Sequence, residues 1–241
     1  MRPLLLIARR ELGSYLRTWS GYLIVAGCLM LNALFFHAFA MGAGARRSAE
    51  VIGDFFYYSS GMTMTAAVLL SMRLLAEERQ AGTLPLLYSS PVRDYQIVLG
   101  KYLSGMAFLA LYLATTLCLP LLVLVNGKVS FGHLLAGYLG LLLLGSAAMA
   151  IGTLGSSLAR SQVLAAVISA LLVVGLLVCW LLGRVTERPF SAIFPAMALH
   201  GIHFASFQKG VVHLRDVAYY GLLTYLALFI STRVLEARRW K

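Results

Sequence analysis

The sequence predicts an all-α integral membrane protein with six transmembrane helices and both termini on the inner side. Three observations carry that prediction. First, 60% of the 241 residues are hydrophobic and 12% are charged, against about 25% charged in an ordinary soluble domain. A soluble chain of this size could not hide so much apolar surface from water, and disorder needs the opposite composition. The mean hydropathy of +0.83 agrees. Second, six apolar segments are long enough to cross ~30 Å of hydrocarbon as helices. They lie near 20–41, 54–76, 102–126, 133–154, 162–182 and 217–235. Third, with both termini inside, thirteen Lys and Arg fall on the inner side and seven on the outer, which is the asymmetry that orients membrane helices.

The net charge of +11 follows from the same arrangement, because basic residues flank spans and meet anionic leaflets. No basic groove interleaved with aromatic platforms is visible, so nucleic acid is not an expected partner. Cys28, Cys118 and Cys179 lie in apolar runs without a CxxC spacing, so neither a disulfide frame nor a zinc site is expected.

The first 18 residues are not read as a cleavable signal, since the apolar stretch before Arg9, Arg10 and Glu11 is too short. Leu4, Leu5, Ala8, Leu12, Tyr15 and Leu16 recur at helical spacing, with arginines between them. This predicts a basic amphipathic helix in the membrane interface over 1–18.

Span three contains Pro120, which should kink it and free a carbonyl one turn earlier. Ala148, Gly152 and Ser156 form a small-residue ladder on span four that lets a neighbouring helix approach, most simply within the subunit. Asn32 and His37 on span one are expected to bond to a neighbouring helix.

Two connections exceed what a turn needs, an inner one over 77–101 and an outer one over 183–216. The inner one reads as a capped elbow. Glu77, Glu78 and Arg79 mark the exit from span two. Gly82 allows a turn, and Thr83 suits an N-cap. Pro85 then falls in a first helical turn, and Leu84, Leu86 and Leu87 give the short helix an apolar side. Ser90 and Pro91 make a second break, after which Arg93 and Asp94 face water and 96–101 leads into span three. Such a build suits a knob inserted into a partner's groove.

The chemistry that is missing narrows the function. All nine carboxylates lie in loops or at span ends, which argues against an ion-coupled carrier. No P-loop is present, since neither Gly-Lys is followed by Ser or Thr. No Gly-x-Ser-x-Gly and no intramembrane His/Asp cluster is legible, so an intramembrane enzyme is not expected. His200, His203 and His213 share the outer segment, where a structural role is expected rather than a metal site.

The run EERQAGTLPLLYSSPV…IVLGK within 74–105 resembles the coupling segment of ABC-2-type transporter permeases. The interfacial helix and six spans also match, so the resemblance covers the chain as a single transmembrane domain, 1–241. The tail GVVHLRDVAYYGLLTYLALFISTRVLEARRW, 210–240, resembles permeases of the gliding-motility-associated branch, relatives of the permease for nitrous-oxide-reductase maturation. Pro85 stands where the family often has an acidic residue.

The resemblance implies a multi-pass permease subunit in the bacterial cytoplasmic (inner) membrane. It would work as an exporter, paired with a second copy or a homologue and coupled to a separate ABC ATPase. ATP and magnesium belong to that ATPase, so no cofactor, metal or catalytic residue is implied for this chain. Docking would use Glu77, Glu78, Arg79, Gly82, Thr83, Leu84, Leu86, Leu87, Ser90 and Pro91. Arg9, Arg10 and Glu11 belong to the interfacial helix, apart from that docking set. The outer segment would form short re-entrant helices including Pro195, His200, Gly201, His203 and Phe207. An auxiliary membrane protein with a large external domain often accompanies the gliding branch. The same lever would also serve a membrane scaffold that passes ATPase-driven motion to an external partner without moving a substrate.

Overall fold

A computed structural model describes residues 2–41, 47–83, 92–126, 129–187 and 190–239. Helix α1 (Arg2–Arg17) leads into α2 (Trp19–Phe35), which ends in a π-helical turn, Phe36–Met41. Helix α3 (Ser48–Ser71) is followed by the short α4 (Ala76–Gln80). Next come α5 (Asp94–Thr116) and α6 (Cys118–Asn126), then α7 (Phe131–Leu158) and α8 (Gln162–Val185). Two short helices, α9 (Phe190–Met197) and α10 (Ile202–Gln208), precede α11 (Leu214–Arg239). Six of the described segments are long and apolar enough to cross a membrane, and they coincide with the six expected spans.

Helix α7 is the centre of the bundle, with α3, α8 and α11 packed along it. Its composition explains this. A Cβ on Gly152 would collide with the Ser71 hydroxyl of α3, so the small residue permits the approach. Ala148, Gly152 and Ser156 are all buried, and the ladder packs within the subunit. Span three breaks at Leu117, between α5 and α6, three residues before Pro120. Pro120 cannot donate to the Thr116 carbonyl, so the ladder is interrupted one turn earlier. Asn32 accepts a bond from the Ser59 hydroxyl of α3 at 3.0 Å, fixing span one against span two.

Spans one, five and six keep most of their apolar surface on the outside of the bundle. The two chain ends lie at the same end of the bundle. Arg10 of α1 reaches Glu78 of α4, and Arg238 of α11 donates to the Leu158 carbonyl at the end of α7 at 2.9 Å.

Two expectations need correction. The last part of the inner 77–101 connection is helical, because α5 begins at Asp94. The Gln96 side chain accepts the Arg93 amide at 3.2 Å and closes that first turn, so 94–101 form the opening turns of α5. Asp94 is correspondingly buried instead of facing water. Part of the expected α1 stripe, Leu12 and Tyr15, packs with Ile7 against protein where α1 meets α5, while Leu5 and Leu16 stay exposed.

Candidate functional site

The inner end of the bundle gathers charged residues from four parts of the chain. It starts where span two ends. The chain turns at 72–75, and the amides of Leu75 and Ala76 need acceptors as α4 begins. The Ser156 hydroxyl of α7 accepts both, at 3.0 and 2.9 Å, and donates to the Met72 carbonyl at 3.2 Å. One hydroxyl thus bridges the break and joins α4 to α7. Ser156→Ala is expected to cost about 1–3 kcal/mol, because two buried amides lose their acceptor. Ser157→Ala removes a bond only to its own helix and should cost less, a contrast that thermal unfolding in detergent would measure.

The other end of α4 closes on Gly82, at φ +68°. Gly82 donates to the Arg79 carbonyl at 3.2 Å, and Thr83 to that of Glu78 at 2.9 Å. This is the paired-bond stop that a left-handed glycine allows. The Thr83 hydroxyl also turns back to the Glu78 carbonyl at 3.3 Å, so it helps to end α4.

The three charged residues of α4 bond to the preceding turn and to α1, α5 and α7. Glu77 forms a two-point pair with Arg73 at 2.9 and 3.0 Å. Arg73 in turn donates to Ser20 and sits over the Tyr15 ring. Glu78 meets Lys101 of α5 at 2.9 Å and Arg10 of α1 at 3.3 Å. Arg79 donates to the carbonyls of Ser157, at 3.2 Å, and Ala159. It thereby caps the end of α7, where a cation also suits the helix dipole. Gln80 accepts the Gln162 amide at the start of α8 at 3.4 Å.

Lys101 is the centre of the network. It is 1% exposed and contacts Glu11 at 3.3 Å as well as Glu78. Glu11 also takes Arg10 at 3.0 Å. Arg9 and Arg17 lie on the exposed side of the same helix. Two acids and two bases balance here, which makes a buried ammonium tolerable. Burial keeps the Tyr15 phenol above its ordinary pKa, so it stays a donor, to the Leu70 carbonyl at 2.8 Å. A cavity of about 760 Å³ opens beside the network, and Arg10, Glu11, Glu78 and Lys101 line it. Thr83 and Val92, which flank 84–91, share its wall. Leu84, Leu86, Leu87, Ser90 and Pro91 lie outside the described residues.

At the opposite end, α9 and α10 are clasped to α11. His203 Nδ1 meets Asp216 Oδ1 at 2.9 Å, and its Nε2 donates to the Ala196 carbonyl at 3.1 Å. Ser206 donates to Asp216 Oδ2 at 2.5 Å. Tyr219 and Tyr220 donate to the Met197 and Leu199 carbonyls, and the His203 ring stacks on Tyr219 at 3.9 Å. A buried His/Asp pair is therefore present at this end of the bundle. Aspartate sits between serine and histidine here, so the group ties helices together and does not form a serine–histidine relay. His200 lies apart and donates to the Ser60 hydroxyl at 2.9 Å, since that hydroxyl's own proton goes to the Tyr57 carbonyl. Burial pushes its imidazole down to about 4, so it is neutral. Gly201 starts α10 at φ +86°, Pro195 lies inside α9, and Phe207 is buried. Among the described residues, no three His, Cys, Asp or Glu side chains come together as a metal site would require.

Residues 29–184 match the model of the family described as ABC-2 family transporter protein. This chain belongs to that family. A search of curated proteins finds no match. As an ABC-2 family member, the chain is a membrane permease component of an ABC transporter. Its implied partners are an ABC ATPase and the lipid bilayer, and the family is not the catalytic ATPase.

Two residues of this ABC-2 protein escaped the sequence reading. Lys101 carried one signal, a lone cation between the apolar Val98 and Tyr102 while Glu11 and Glu78 lacked assigned partners. Ser156 was legible as a small residue, but nothing in its surroundings marked it as a double acceptor.

Proposed function

We propose that this chain is the permease subunit of an ATP-driven exporter of the bacterial inner membrane, working as a dimer docked on a separate ATPase. The observation that carries this reading is the inner network. Helix α4 is bonded at once to α1, α5, α7 and α8, so a push on the 77–101 segment reaches four elements of the bundle. The excess of Lys and Arg at this end favours placing it in the cytoplasm. The segment 84–91 supplies the apolar anchor, and the elbow acts as a lever between inner- and outer-facing states. Helices α9 and α10, with Pro195 and Gly201, would cap the outer end of the pathway. The resemblance over 210–240 favours the gliding-motility branch and an auxiliary protein with an external domain.

Purification of the chain from native membranes tests this reading. An ATPase with a P-loop is expected in equal amount. Glu77 and Glu78 are poor places to probe docking, because their charges hold the fold. Leu86→Asp is the sharper variant: it should lose the ATPase while the melting temperature of the permease is kept. A chain that purifies alone under mild detergent would overturn the reading. Wild-type chain that arrives with an external-domain protein, and an ATPase that cycles without cargo, would favour the force-transmitting scaffold.

A further inference from the structure

Helix α1 has a second amphipathic face, turned away from the protein. It carries Leu5, Leu6 and Leu16 beside Arg9, Arg10 and Arg17, all exposed. Exposed leucines interleaved with arginines do not suit water, but they suit the boundary between acyl chains and headgroups. The depth is marked independently. Trp19 is 84% exposed and Tyr22 52% exposed at the start of span one, and such residues settle at headgroup level.

This face carries a shallow, open groove lined by Leu6, Arg9, Arg10, Gly13, Ser14 and Arg17. Gly13 lies four residues from both Arg9 and Arg17, so one turn separates it from each. No atom lies within 4 Å of where its Cβ would stand. The missing side chain is what leaves room between the two guanidiniums.

We propose that this groove binds the headgroup phosphate of an acidic phospholipid. Arg9 and Arg17 would donate from either side, with the forked geometry that suits a phosphate. The Ser14 hydroxyl would add a third donor, and an acyl chain would run along Leu6 and Leu16. Arg10 is shared, because it lines this groove and also the cavity beside Glu78 and Lys101. A bound headgroup therefore lies next to the network that holds the elbow, which links the charge of the leaflet to the elbow's position.

The test is native mass spectrometry of the purified chain after exchange into micelles doped with phosphatidylglycerol or phosphatidylcholine. The wild type should retain phosphatidylglycerol about tenfold more, the value of one charge-assisted contact. Arg9→Gln with Arg17→Gln should abolish the preference. Gly13→Leu is the decisive variant: it keeps every charge, meets open space and favours the helix, yet fills the groove. It should lose the preference with no drop in melting temperature. If Gly13→Leu keeps it, diffuse attraction to the arginines explains the binding and the site does not exist. Equal retention of both lipids by the wild type would also overturn the proposal. So would loss of a co-purifying ATPase, in place of lipid, from the double arginine variant, since the face would then belong to a protein.

Discussion

Lys101→Met is expected to destabilise the protein by about 3–5 kcal/mol, the cost of leaving buried charges without their partner. The ammonium is 1% exposed, and the Glu11 and Glu78 side chains are themselves only 16% and 13% exposed. Removing the lysine leaves two carboxylates side by side, with the largely exposed Arg10 as their remaining cation. The repulsion acts between α1 and α4, so those two helices should part first. Trypsin cleavage after Arg9 and Arg10 should accelerate before global unfolding is seen. The rescue is as informative as the loss. Adding Glu11→Gln and Glu78→Gln to Lys101→Met removes the stranded charges and should recover most of the stability, because an intact buried pair contributes little net free energy. If the single variant melts like the wild type, the network does not hold α1 to the elbow, and the route from elbow to α1 falls with it.

What was legible in the sequence follows the range of each interaction. The six spans are local facts, since about twenty consecutive apolar residues have few other stable forms. The break at Leu117 follows from one proline, and the α3–α7 contact from a ladder of small residues. Helix α1 was legible as amphipathic, but its partner was not. Periodicity shows that a face is apolar and does not show whether lipid or protein covers it. The apolar run places the start of span three near Tyr102, but the helix that carries it begins at Asp94. Lys101 can be buried there because Glu11 and Glu78, from distant parts of the chain, compensate it. The His203–Asp216 pair hid for another reason. Both residues stood in a segment that looked external, and a spacing of thirteen residues across two helices has no local signature.

Asp216→Ala should have a comparable effect at the other end of the bundle, about 3 kcal/mol or more. The carboxylate is fully buried and takes bonds from His203, Ser206 and Arg215. Its loss strands the His203 ring, whose two nitrogens both face acceptors in the native clasp. Asp216→Asn keeps an oxygen toward His203 and the same volume, so it should cost less, on the order of 1–2 kcal/mol. The discriminating measurement is again where trypsin cuts. Asp216→Ala should expose the bond after Lys209 by loosening α10, while Arg9 and Arg10 stay protected at the wild-type level. Lys101→Met should give the reverse pattern. Opposite patterns would mean that the two ends are held by separate polar networks, joined through α7. A lever pulled at the inner end could then shift the bundle without first opening the clasp. If either variant exposes both sites together, the ends unfold as one unit, and motion at the elbow cannot be passed outward independently of the clasp.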